Sequence, residues 1–186
     1  LIAEFDSCMM ETVIRTLRKE THAGNPLSVA VNLSARSLVS AAFQESLAHD
    51  LERLRAPKDR LLLEVTESAQ VKNLSALAGA VDRLRDDGYR VCLDDFGAGA
   101  SGFQYLKQVR ADFVKIDGSY VRDADSDAEK RAFLQSIVTL CRDLGIATIA
   151  EWIETPAQAD LMLRLGVDMG QGYYYGRPAL ALPKPD

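Results

Sequence analysis

The stretch that decides the fold class is RVCLDDFG, residues 90–97. Its apolar beginning is typical of a buried β-strand, and its two acids and glycine mark the point where a strand gives way to a loop. Similar short apolar runs recur along the chain, with longer amphipathic segments between them. This alternation predicts β-α units that build a parallel sheet.

The periodicity predicts six strands and six helical segments. The strands are residues 27–33, 61–65, 90–93, 112–116, 147–153 and 168–172, and the helical segments are 6–19, 40–54, 74–87, 101–107, 127–144 and 155–165. Gly88, Gly145 and Gly166 follow three of these segments, where a left-handed residue commonly ends a helix. Thr155 and Pro156 are typical of an N-cap followed by proline in the first turn.

Polar groups at the strand ends distinguish between the two architectures that fit this alternation, a doubly wound open sheet and a TIM-type β/α barrel. Such groups follow five of the six predicted strands: Asn32, Glu64 with Glu67, Asp94 with Asp95, Lys115 with Asp117, and Glu151 with Glu154. A barrel collects side chains from nearly every strand at one mouth, whereas an open sheet concentrates them at one switch point. We therefore predict a barrel.

A complete β/α barrel has eight strands. We expect residues 1–186 to form one domain that contains about six of them, with two more strands preceding Leu1.

Composition excludes several classes of function. The net charge of −5 and the pI near 5.1 argue against binding to long nucleic acid. The three cysteines show no zinc-binding spacing, and no apolar run approaches the length of a membrane-spanning helix. We expect a cytoplasmic domain, with membrane anchoring left open for a parent protein.

The strand ends together carry seven acids and one lysine. Clustered carboxylates attract cations, and a set of ligands that contains only oxygen favours Mg²⁺ or Mn²⁺. The neighbouring acids Asp94 and Asp95 suit a two-metal site, whose known use is phosphoryl displacement by an activated water. Lys115 would orient that water or neutralise phosphate charge. Taken singly, such acids also serve as helix caps, turn residues or partners in surface ion pairs.

The chain resembles the EAL phosphodiesterase family. The resemblance is carried by VNLS (31–34), LEVTES (63–68), DDFGAG (94–99), KID (115–117), AEWIE (150–154) and QGY (171–173), in the family's order and nearly its spacing. It implies a barrel that hydrolyses cyclic di-GMP to linear pGpG with Mg²⁺ or Mn²⁺. It also implies a homodimer, and sensory or GGDEF domains in the parent protein.

The resemblance assigns a role to each matching residue. The implied metal ligands are Asn32, Glu64, Asp94, Asp95 and Glu151. Lys115 matches the lysine that positions the nucleophilic water, Glu151 is a further ligand or general base, and Glu67 holds the loop after Asp95. The implied contacts to the nucleotide are Gln171, Glu154 and Asp117.

Three departures from the family pattern keep a second function open. The Glu-Ala-Leu signature does not occur in residues 1–186, Ala98 replaces a usual threonine, and Trp152 replaces a usual glycine. The alternative is a catalytically inactive EAL module that binds cyclic di-GMP and signals through partner domains. Every ligand expected within this span is present, which favours the enzyme.

Overall fold

A computed structural model describes residues 1–25, 27–66, 73–97 and 102–179, with side chains from residue 104 in the last range. The chain divides into two compact units. The first contains residues 1–93 and 101–111, and the second contains residues 94–100 and 112–186.

The first unit alternates helices and strands from its beginning. Its elements are α1 (Ile2–His22), β1 (Val29–Leu33), α2 (Ala35–Leu38), α3 (Ala41–Arg53), β2 (Leu61–Thr66), α4 (Leu74–Asp86) and α5 (Gly102–Gln108). Strand β3 (Arg90–Phe96) begins in this unit and ends in the second. The helices place apolar residues such as Ile14, Leu47 and Leu77 in the core.

The second unit continues the alternation. It contains β4 (Phe113–Ile116), α6 (Gly118–Val121), α7 (Ala128–Asp143), β5 (Ala147–Ala150), α8 (Pro156–Leu165) and β6 (Met169–Gly170). Helix α8 has the predicted start: the Thr155 hydroxyl accepts from Gln158 N, Gln158 completes the capping box, and Pro156 follows the cap. It ends at Gly166, whose φ of 80° is the left-handed conformation expected there.

The strands lie in the sheet in their order along the chain, β1 to β6. Parallel pairing joins β1 to β2, β4 to β5 and β5 to β6. A doubly wound sheet reverses its strand order at a switch point, whereas a β/α barrel keeps sequential order. The prediction of a barrel with six strands in this chain is therefore confirmed.

Several boundaries differ from those that periodicity predicted. The segment predicted as one helix over 40–54 is preceded by the short α2, which begins where the Ser34 hydroxyl accepts from Arg36 N. Strand β3 extends to Phe96, so both acids of RVCLDDFG lie within it. Strand β5 ends at Ala150, and the residues predicted to continue it include Trp152, whose φ of 56° lies in the left-handed region.

Within the described ranges, no helix is both long and apolar enough to span a bilayer.

Candidate active site

The second unit is organised around one buried lysine. Lys115, on β4, is 5% exposed, and its Nζ lies 2.9 Å from Asp94 Oδ1 and 2.8 Å from Glu151 Oε1. A buried ammonium needs such partners, because transferring an unpaired charge from water into a protein interior costs several kcal/mol. The ends of β3, β4 and β5 thus supply one side chain each to a single polar cluster.

Asp94 and Asp95 can act together because the backbone leaves extended geometry at Asp95. In a regular strand, successive side chains point to opposite faces of the sheet. Asp95 has a φ of 57°, in the left-handed region, and its N–H donates to Asp94 Oδ1 at 3.0 Å. A non-glycine residue in this conformation costs about 1–2 kcal/mol. This departure from extended geometry lets the two adjacent carboxylates serve neighbouring ions.

The carboxylate oxygens of Asp94, Asp95 and Glu151 converge. One oxygen from each lies within 4.8 Å of the other two. With Lys115 between two of them, the cluster carries three potential negative charges and one positive charge. An oxygen-only donor set with excess negative charge fits a hard divalent cation such as Mg²⁺ or Mn²⁺.

The environment of Glu151 changes the pKa of its carboxyl. Burial raises its pKa above the usual value, and the nearby charges of Asp94 and Asp95 raise it further. The hydrogen bond and positive charge of Lys115 act in the opposite direction. Glu151 therefore takes up a proton more readily than an exposed glutamate does, which is a property of many catalytic acids and bases.

The first unit brings together the two other predicted metal ligands. Asn32 on β1 and Glu64 on β2 are register partners, so they lie side by side on one face of the sheet. Glu64 is buried and Asn32 is exposed. The register places these two residues next to each other, and their use as metal ligands stays a prediction.

The remaining predicted residues fall into different settings. Glu154 and Gln171 line an exposed groove together with Glu151. The Asp117 carboxylate accepts from Ser119 N at 2.9 Å and caps α6, which is the helix-cap role considered for such acids in the sequence analysis. Glu67 lies outside the described residues. The nucleotide and catalytic roles assigned to all these residues stay predictions.

The groove has a volume of about 910 Å³. Besides the predicted residues, it is lined by aromatic and cationic side chains, which are Arg122, Trp152, Tyr173, Tyr175 and Arg177. The Arg122 guanidinium lies 4.7 Å from the Trp152 ring centroid, and the Arg177 guanidinium lies 4.6 Å from the Tyr173 ring. Flat rings beside cations are suited to planar and anionic groups.

Sequence reasoning missed Arg122 and Arg177, because a single arginine after a short helix or in a C-terminal loop has no distinguishing pattern. It also missed Gln158, which is buried on α8. The Gln158 side-chain oxygen accepts from Glu154 N and Thr155 N, and its Nε2 donates to the Arg122 carbonyl at 3.1 Å. The one available signal was glutamine three residues after Thr155, which is the capping-box spacing.

Known proteins resemble this chain over nearly its full length. It is 30% identical over 178 residues to cyclic di-GMP phosphodiesterase PdeB of Shewanella oneidensis, covering 96% of this chain and 21% of that protein. It is 33% identical over 179 residues to MucR of Pseudomonas aeruginosa, a bifunctional diguanylate cyclase/cyclic di-GMP phosphodiesterase, covering 96% and 26% respectively. The chain thus spans about a quarter or less of each of these two relatives.

Solved structures agree with the fold. The PaMucR phosphodiesterase in its c-di-GMP complex superposes with a TM-score of 0.86 at 33% identity, covering 96% of this chain and 72% of that one. An EAL domain protein from Listeria monocytogenes gives 0.82 at 28% identity, covering 91% and 66%. The EAL domain family model matches residues 1–178. On these grounds, and on the strand-end acids that the fold gathers, the chain belongs to the EAL domain family.

Proposed function

We propose that this chain takes part in hydrolysing cyclic di-GMP to linear pGpG with the help of Mg²⁺ or Mn²⁺. The observation that carries the proposal is Lys115, held between Asp94 and Glu151 and next to the converging carboxylate of Asp95. The substrate is suggested by relatives that are named cyclic di-GMP phosphodiesterases and by the relative whose structure contains the dinucleotide.

Asp94, Asp95 and Glu151 would hold the divalent ions, with Asn32 and Glu64 as the further ligands that the family resemblance implies. When bound, such ions supply an activated water and neutralise charge on the phosphodiester. The three clustered acids fit this task through their oxygen donors and their excess negative charge.

The chain's own residues would position the reacting groups. The Lys115 ammonium is held by two carboxylates, so it donates hydrogen bonds from a fixed position toward the attacking water. Glu151 would either remain a metal ligand or accept the proton that this water loses, and the burial that raises its pKa favours the second role. Glu154 and Gln171 line the groove beside this cluster and would contact the nucleotide.

The test combines product analysis with one matched pair of variants. With cyclic di-GMP and Mn²⁺, the protein without substitutions (the parent of the variants) should release linear pGpG, detected by chromatography. Lys115→Ala should lose most turnover and keep its affinity for cyclic di-GMP, because the lysine acts mainly in the transition state. Lys130→Ala, which removes an exposed ion pair with Asp123, should leave both unchanged. Equal loss of binding and turnover in Lys115→Ala would assign Lys115 to substrate holding.

Calorimetry tests the metal site separately. Asp94→Asn should weaken Mn²⁺ binding by about tenfold or more, whereas Asp123→Asn, outside the cluster, should not. Unchanged Mn²⁺ affinity in Asp94→Asn would contradict the assignment of Asp94 as a ligand. If the Mn²⁺-loaded protein binds cyclic di-GMP without releasing pGpG, the inactive-receptor alternative replaces the enzyme. A homodimer and regulatory domains in the parent stay predictions.

A further inference from the structure

Trp152 is the only tryptophan of the chain, and 47% of its surface is exposed. It lines the same groove as Glu151, Glu154 and Gln171. Aromatic side chains usually bury their large apolar surface, so an exposed indole in a concave polar site points to a ligand surface.

The indole is held in place from one side. Gly118 and Arg122 are four residues apart at the two ends of α6, so they approach the ring from the same face of that helical turn. The Arg122 guanidinium lies 4.7 Å from the ring centroid. A Cβ on residue 118 would come within 2.2 Å of indole atoms, so the ring occupies the space that a side chain at Gly118 would need. The exposed face is therefore the one opposite α6.

The charges around the indole suit a nucleotide base. Arg122 and Arg177 supply positive charge along the groove, while Glu151 and Glu154 supply negative charge. A planar purine gains from stacking on an indole whose other face rests on a guanidinium. A planar ligand buries more of this flat surface than an aliphatic or globular ligand does.

We infer that Trp152 is a stacking platform for one guanine base of cyclic di-GMP, and so a specificity-determining residue of this domain. The inference rests on the proposed function, since it takes its ligand from there. It assigns the binding role to a side chain that replaces the glycine expected at this position.

The single tryptophan makes the test direct, because all indole emission comes from the site itself. Titration with cyclic di-GMP, in EDTA and again in Mn²⁺, should change Trp152 emission in a saturable way. Trp152→Gly should weaken binding measured by calorimetry by about 5- to 150-fold, the loss expected for one stacked base. Trp152→Phe keeps a flat ring and should stay within about fivefold of the parent.

The variants keep the test independent of folding. Glycine accepts the φ of 56° at this position, so Trp152→Gly introduces no backbone strain. Leu163→Ala removes another exposed apolar side chain, outside the groove, and should not change binding. Calorimetric binding with unchanged emission and unchanged affinity in Trp152→Gly would overturn the inference and leave the proposed function standing. Absence of calorimetric binding in both conditions would overturn the proposed function, and the inference with it.

Discussion

Replacing Lys115 by methionine should destabilise the metal-free protein strongly. Methionine has similar length but no charge, so the change leaves the carboxylates of Asp94 and Glu151 close together without their shared cation. Both side chains are nearly buried, 10% and 13% exposed, so solvent screens them little. Breaking a buried ion pair by removing one partner costs about 3–5 kcal/mol.

For a chain of this length, each kcal/mol corresponds to about 2–4 °C in melting temperature. We therefore expect Lys115→Met to melt about 6–20 °C below the parent in EDTA at pH 7. Lys130→Met, which removes an exposed pair, is the matched control and should change the free energy of unfolding by no more than about 1 kcal/mol.

The pH dependence gives a second readout with a definite sign. Burial already raises the pKa of Glu151 in the folded protein, and Lys115 opposes that rise, so the variant's Glu151 should have a still higher pKa. A carboxyl whose pKa is raised by folding binds protons more tightly in the folded state, so the folded state gains stability as pH falls through that pKa. The difference in stability between Lys115→Met and the unmutated protein should therefore decrease as the pH is lowered from 7 toward 5.

A divalent cation should replace part of the positive charge that Lys115 supplies to the acid cluster. Mn²⁺ should raise the melting temperature of Lys115→Met by more than it raises that of the parent, because the variant's cluster has lost its positive charge. A Lys115→Met protein as stable as Lys130→Met in EDTA would refute the reasoning that the lysine holds the acid cluster together.

Two further outcomes test other parts of the structure. Burial raises the pKa of the Cys141 thiol to about 11, and Cys92 is buried as well. A thiol reagent at pH 8 should therefore label Cys8 alone in the native protein. Rapid labelling of all three cysteines would contradict the packing around β3 and α7. Gly172→Ala would bring a Cβ within 2.1 Å of the Ile153 carbonyl oxygen and should lower the free energy of unfolding, measured by urea titration, by about 3 kcal/mol. Gly145→Ala, also at positive φ but in open space, should lower it by about 1 kcal/mol. Equal losses would show that the contact at Gly172 is not tight.

The strand-end acids were predictable because their signal is local. An apolar run that ends in a charged residue identifies both the strand and the position of that residue, so Asp94, Lys115 and Glu151 were assigned to one mouth from the sequence. Their convergence follows from the barrel, which brings equivalent strand ends together.

The groove was harder to predict, because its features depend on contacts between distant parts of the chain. Trp152 has a left-handed backbone, and its ring lies where a Cβ on residue 118 would stand, so the position of the ring depends on glycine there. Arg122 acquires its role from the same ring. No pattern around residue 122 indicates this, since the relevant neighbour is thirty positions away.

Gln158 has a consequence for how a ligand would enter the groove. Its side chain ties the backbone of Glu154 and Thr155 to the backbone of Arg122, so the segment after β5 and the end of α6 are fastened together in the free protein. Because this wall of the groove is ordered before a dinucleotide binds, binding carries little entropic cost for ordering loops. This side of the groove should therefore be preorganised for its ligand. Differences in affinity between ligands should arise mainly from their dissociation rates rather than from their association rates.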